Sequence, residues 1–186
     1  MKKNVKIIII SIIVVIADLI SKLVIKNLVA KDTFIKVIGN FFRLTHTENT
    51  GAAWSILEGK IILLIILSFV FLFFLIYCAF KEKRDSKLNI ISYSFIIGGI
   101  IGNMIDRIVY HKVIDFLAFR IFNYDFPIFN LADSFIVVGA IIFVIDMFLE
   151  GKEEGPMLEE YKKIKENMSG KDKSIRKWYK TWSIHK

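Results

Sequence analysis

At 186 residues the chain has room for one domain, and more than half of it is apolar, with seventeen Phe and long Ile runs. A net charge of +8 hints at nucleic acid, but most of the excess flanks hydrophobic runs, where it serves attraction to anionic lipid and control of topology. The single Cys78 lies inside such a run, which excludes an internal disulfide and argues against a redox or zinc role.

The first element begins near Val5 and continues past Asp18 and Lys22 to about Leu28. Its start resembles a secretory signal, with Lys2, Lys3 and Lys6 before an apolar stretch and a weak small-residue pattern at Val15-Ile16-Ala17. The apolar pattern runs on through Leu19, Leu23, Ile25 and Leu28, so a retained membrane span is the better reading. Next, Phe34 to Thr45 is rich in β-branched and aromatic residues around a Gly39-Asn40 turn and reads as a hairpin, within a β region over about 31–58. Trp54 is expected as an interfacial anchor.

A helix needs roughly 20 apolar residues to cross a bilayer core. Ile61 to Phe80 satisfies this with no charge at all, Leu88 to about Ile108 follows, and Leu131 to Leu149 is interrupted by Asp133 and Asp146. The segment between Val109 and Asn130, which holds Asp115, is read as a loop. Residues 1–150 thus form the membrane domain, and 151–186 a charged tail. The expected fold class is an all-α membrane protein of four transmembrane helices with a small extracytoplasmic β-sheet and a charged cytoplasmic tail.

Orientation follows from Lys and Arg in the short flanks. Three Lys precede the first span, four Lys or Arg lie in Lys81 to Lys87, and ten follow Glu150. The loop from Val29 to Lys60 has only Lys31, Lys36, Arg43 and Lys60, and the loop from Val109 to Asn130 only Lys112 and Arg120. Both termini are therefore expected in the cytoplasm and both sparsely charged loops outside. Asp18, Ser21 and Lys22 then lie toward the outer end of span one, Asn103, Asp106 and Arg107 at that of span three, and Asn130 and Asp133 on the first turn of span four. Asn49 and Gly51 lie in the first outer loop. All fall at one depth, and ionisable groups at membrane depth face a protein interior or a watery cavity. Asp18 and Lys22, four apart, also read as a structural ion pair, Asp106-Arg107 as interfacial charges, and Asn130 as a helix cap. Asp146 is far from the rest and reads as interfacial or structural, and His46, His111 and His185 lack ligand spacing.

Asp115 and Asp133 are the pair to single out. Two close carboxylates share a proton, so that one activates water while the other polarises a carbonyl, which is aspartic-protease chemistry. Paired Asp residues also serve proton or cation translocation. A transporter would use Asp18, Asp106, Asp115 and Asp133 as a relay, but the inner halves of the spans are almost wholly apolar. A non-catalytic assembly factor would have no use for the carboxylate pair.

Five motifs occur in order: Asp18-Leu-Ile-Ser-Lys22, Asn49-Thr-Gly-Ala-Ala-Trp54, Gly102-Asn-Met-Ile-Asp-Arg107, Val113-Ile-Asp-Phe116 and Phe129-Asn-Leu-Ala-Asp-Ser134. Together they closely resemble lipoprotein signal peptidase (signal peptidase II), the aspartic protease of bacterial membranes, from about Val5 to Leu149. The resemblance implies Asp115 and Asp133 as catalytic dyad, cutting before the diacylglyceryl-modified Cys of a prolipoprotein without metal or cofactor. It implies Asn49, Gly51, Asn103, Arg107 and Asn130 as substrate-binding, with Asp18, Lys22 and Asp106 in support. It also implies inhibition by a globomycin-type cyclic peptide. The expected partners are prolipoprotein substrate and membrane lipid, not nucleic acid, and the expected state is a monomer. The tail beyond Gly151 exceeds the family core.

Overall fold

The computed structural model describes residues 2–51 and 56–149; Trp54 and the charged tail lie outside the described residues. Among the described residues, four helices are long and apolar enough to cross a membrane: α1 (Lys3–Leu28), α2 (Ile61–Lys81), α3 (Lys87–Tyr110) and α4 (Leu131–Leu149). The described residues up to Val144 form one compact unit.

The most apolar span is the least buried and the least apolar span the most buried. The most apolar stretch of α2 has mean hydropathy 3.2 and is 11% buried, whereas that of α3 has 1.6 and is 72% buried. Lipid rewards apolar side chains on outward-facing helices, whereas helix–helix contact rewards small and polar ones. α3 is therefore the central helix, and Gly98, Gly99 and Gly102 let its neighbours approach. A Cβ at Gly98 would lie 2.7 Å from Val14 on α1, one at Gly99 2.5 Å from the Ala132 carbonyl on α4, and one at Gly102 2.5 Å from Asp18. Ile7 and Val14 are buried, and Ser11 Oγ donates to the Ser94 carbonyl at 3.1 Å. The signal-like start of the chain is thus part of the packed bundle.

The hairpin expected at 34–45 is present as β1 (Phe34–Ile38) and β2 (Phe42–Asn49), turning at Gly39 with φ +50°. One expectation is corrected. The segment after α3 is not a loop at Asp115 but the strand β3 (Val113–Ile121), followed by β4 (Tyr124–Asp125). The four strands form an antiparallel sheet in the order β1-β2-β3-β4. Its root is fixed to the bundle by an apolar cluster of Ile25 and Val29 with Ile114 and Phe116, against which Leu44, Leu117 and Leu131 pack. That attachment brings the ends of β2 and the start of β3 over the helix ends where the polar residues lie.

Candidate active site

The site is built in two layers. The lower layer centres on Lys22, whose ammonium is buried between α1 and α3. It meets Asp18 Oδ2 at 2.7 Å, Asp106 Oδ2 at 2.9 Å and Asn103 Oδ1 at 2.9 Å. Three oxygens surround its three donors, so the charge is compensated and the cost of burying it is largely met. Asp18 uses its other oxygen to accept from the Ala132 backbone N–H at 2.9 Å, which locks the first turn of α4 to α1. The ion pair read from the i, i+4 spacing is present and extends to Asp106.

The upper layer holds the two carboxylates. Asp115 on β3 accepts from Asn49 Nδ2 at 2.8 Å through Oδ2 and from Asn130 Nδ2 at 2.7 Å through Oδ1. Asp133 on α4 accepts from Asn103 Nδ2 at 2.7 Å and from the Asn130 backbone N–H at 3.2 Å. Asn130 therefore binds both carboxylates. Its Nδ2 also reaches Asn103 Oδ1 at 3.0 Å, which joins the upper layer to Lys22. Asn130 is also the helix cap expected of it, since its Oδ1 accepts from the Asp133 N–H at 3.0 Å.

Arg107 leans over this layer. It donates through Nη2 to the Gly51 carbonyl at 3.1 Å and through Nη1 to the Asn103 carbonyl at 3.5 Å. Gly51 N–H in turn donates to Asn49 Oδ1 at 2.8 Å, a local turn that orients the Asn49 amide toward Asp115. Burial and the neighbouring Asp133 charge push Asp115 up to about 7, against the opposing pull of Asn49, Asn130 and Lys22. A carboxyl in that range exchanges its proton near neutrality.

All ten residues singled out in the sequence are thus joined in one network. Sequence reasoning missed the Ala132 N–H and Glu48. On β2, Glu48 binds Lys31 at 2.6 Å and Lys112 at 2.8 Å, and these bonds, that from Lys112 foremost, pull it down to about 2. Neither has a local signature, since the first is a backbone group and the second joins three separate segments. The network opens into a cavity of about 910 Å³. Asn49, Arg107, Asp115 and Asp133 are among its polar lining, and Phe126, Ile128, Ile136 and Val137 among its apolar lining.

Four helices of membrane length, with a carboxylate pair lining a largely apolar cavity, define a multi-pass membrane enzyme suited to acid–base chemistry. The family pattern described as Signal peptidase (SPase) II matches residues 10–149. Two solved structures are similar, each described as a bacterial membrane enzyme determined by the in meso method. The one at 2.3 Å shares 35% identity over 79% of this chain and 90% of that one, with a TM-score of 0.73. The one at 1.9 Å shares 36% over 76% and 91%, with a TM-score of 0.69. The chain belongs to the signal peptidase II family, the aspartic proteases that process lipoproteins.

Proposed function

We propose that Asp115 and Asp133 are the catalytic pair and hydrolyse the peptide bond before a diacylglyceryl-modified Cys. The observation that carries this is their shared partner: Asn130 binds Asp115 through its side chain and Asp133 through its backbone N–H, at the floor of the cavity. Asp115 is the protonated member and Asp133 the base. Asp133 takes a proton from water as the water oxygen bonds to the scissile carbonyl carbon, and Asp115 gives its proton to the carbonyl oxygen. The tetrahedral diol then collapses. A proton passes to the amide nitrogen, the C–N bond breaks, and the products are the signal peptide carboxylate and the free amine of the lipidated Cys.

Around that pair, Asn49, Gly51, Asn103, Arg107 and Asn130 orient the substrate backbone, and Asp18, Lys22 and Asp106 hold them in place. The apolar side of the cavity suits acyl chains and the signal segment. The enzyme works as a monomer in a bacterial cytoplasmic membrane, with both termini cytoplasmic and the site near the extracytoplasmic face. The distribution of Lys and Arg supports that orientation. A globomycin-type inhibitor competes for the same cavity.

The test is cleavage of a diacylated prolipoprotein in detergent, followed by gel shift, with wild type and Asp115→Asn side by side. Cleavage by wild type and none by a well-folded Asp115→Asn is the expected result. Full activity in Asp115→Asn would remove it from the dyad.

A further inference from the structure

Beyond Asp115, β3 turns back into β4 through Phe122 and Asn123, and both stand in the left-handed region at φ +46° and +63°. Ile121 pairs with Tyr124 across them, so this is a two-residue hairpin whose central positions favour Asn and Gly. Asn123 meets that preference. Phe122 does not, because a bulky side chain at positive φ crowds its own backbone. Its ring is also 100% exposed. A residue that strains the turn and packs against nothing among the described residues is kept for something outside them.

Phe122 has apolar company. Ile38 and Phe41, at the turn between β1 and β2, are more than half or half exposed, and Ile121 nearly so. The Phe41 carbonyl accepts from Arg120 N–H at 2.9 Å, and the Phe41 ring meets Phe119 edge-on at 5.6 Å, which draws the two hairpin ends together. Along the edge strand β1, Phe34, Ile35 and Val37 are exposed as well, on alternating faces, and Leu28 ends α1 exposed. The strand follows closely in sequence on a helix long and apolar enough to cross the membrane, with Lys31 and Asp32 exposed between the two. Charges beside the turn are paired within the sheet, since Asp125 takes Arg43 at 2.5 Å and Arg120 at 3.2 Å. Lys36 stands among these β1 residues, and a long Lys side chain can lie along apolar surface with its head in water.

We propose that the β3–β4 turn is a membrane finger: Phe122, with Ile38, Phe41 and Ile121 around it, inserts into the bilayer leaflet on the site's side. An apolar cluster of this kind, exposed on a protein whose four long apolar helices already suit a bilayer, has lipid as its natural occupant. Tyr124 and Phe126 follow the turn and line the cavity. Seating the finger therefore holds that wall at the lipid surface, where a lipid-anchored substrate arrives. This last consequence rests on the peptidase reading; the insertion itself does not.

The test uses the full chain in liposomes of phosphatidylethanolamine and phosphatidylglycerol. A nitroxide on Phe122→Cys, in a Cys78→Ala background, is compared for collision with oxygen and with an aqueous nickel chelate. A label on Leu67→Cys in α2 serves as the lipid-facing reference. The expected result is an oxygen-favoured label at position 122, shallower than at 67. A nickel-favoured label means the tip is in water, and protection from both reagents means a second copy or another protein covers it; either overturns the proposal. Phe122→Asp, which the turn tolerates, is then assayed in both media. Cleavage should be unchanged in detergent and several-fold slower in liposomes, and equal rates in both would remove the seating role. Absence of cleavage by wild type would strike the peptidase reading and leave the depth measurement to decide the finger.

Discussion

Asn130 and Asp133 cap each other across the first turn of α4: Asp133 N–H donates to Asn130 Oδ1 at 3.0 Å, and Asn130 N–H donates to Asp133 Oδ2 at 3.2 Å. This is the reciprocal geometry of a capping box, with Asn and Asp in the two positions. It means that a helix start and the proposed catalytic pair are made from the same atoms. Fixing the cap fixes the direction in which Asp133 presents its carboxylate.

Two substitutions at Asn130 separate these roles. Asn130→Ala removes the cap and the bond to Asp115, and should cost about 1 kcal/mol of stability together with about 100-fold or more in kcat, the scale of losing one positioned donor. Asn130→Asp keeps a capping oxygen but sets a third carboxylate against the pair. The oxygen that replaces Nδ2 faces Asn103 and Asp115, so the variant should be as inactive as Asn130→Ala and more stable than it only in acid, where the added carboxyl is neutral, as read by thermal unfolding and cleavage in one detergent.

Asp115 sets a pH dependence. Its folded value near 7 lies above the ordinary 3.8, so the protonated form is lost as pH rises through 7. Cleavage should therefore fall on the alkaline side with a midpoint near 7. Asn49→Ala removes a bond that favours the ionised form, so the midpoint of its residual activity should move to higher pH. The same sign governs stability. The contribution is fully present below the ordinary value and lost through 7, so Asp115→Asn should unfold at a higher temperature than wild type above pH 7.

Lys22 carries the lower layer. Lys22→Met leaves Asp18 and Asp106 buried without their cation, a loss of about 3–5 kcal/mol for a broken buried pair. Adding Asp18→Asn and Asp106→Asn removes the uncompensated charges, and the triple variant should recover a large part of the lost unfolding temperature. No recovery would mean that Lys22 acts through packing rather than charge.

Gly102 is needed for close approach. Gly102→Ala places a methyl 2.5 Å from Asp18 Oδ2, and Asp18 cannot yield because Lys22 and Ala132 hold both its oxygens. The expected cost is about 1–3 kcal/mol, with a fall in kcat because Asn103 is the next residue on α3. Unchanged unfolding and kcat would show that α1 and α3 can separate without harm to the site.

The bilayer explains why so much of this was legible in one sequence. Runs such as Ile61–Phe80 must stay apolar over a fixed length, so the spans could be read within a few residues of the observed helices. The same constraint makes each strongly polar residue inside a span conspicuous, which is how Asp18, Lys22, Asn103 and Asp133 could be assigned to one level. Helical spacing paired Asp18 with Lys22 and Asn130 with Asp133, because partners three or four residues apart on a helix meet whatever the rest of the chain does.

Contacts between residues distant in sequence were not readable. β3 looked like loop because its strand character rests on pairing with β2, where Thr47 faces Asp115 and Asn49 faces Val113. Asp106 joined Lys22, and Asn49 reached Asp115, only once α1, α3 and the sheet root had packed together. Local pattern was enough to find the stretches long and apolar enough to cross the bilayer and the polar residues gathered near their ends. Which carboxylate meets which amide was left to tertiary packing, because a hydrogen bond needs its atoms within about 3 Å and no local pattern sets distances between separate helices and strands.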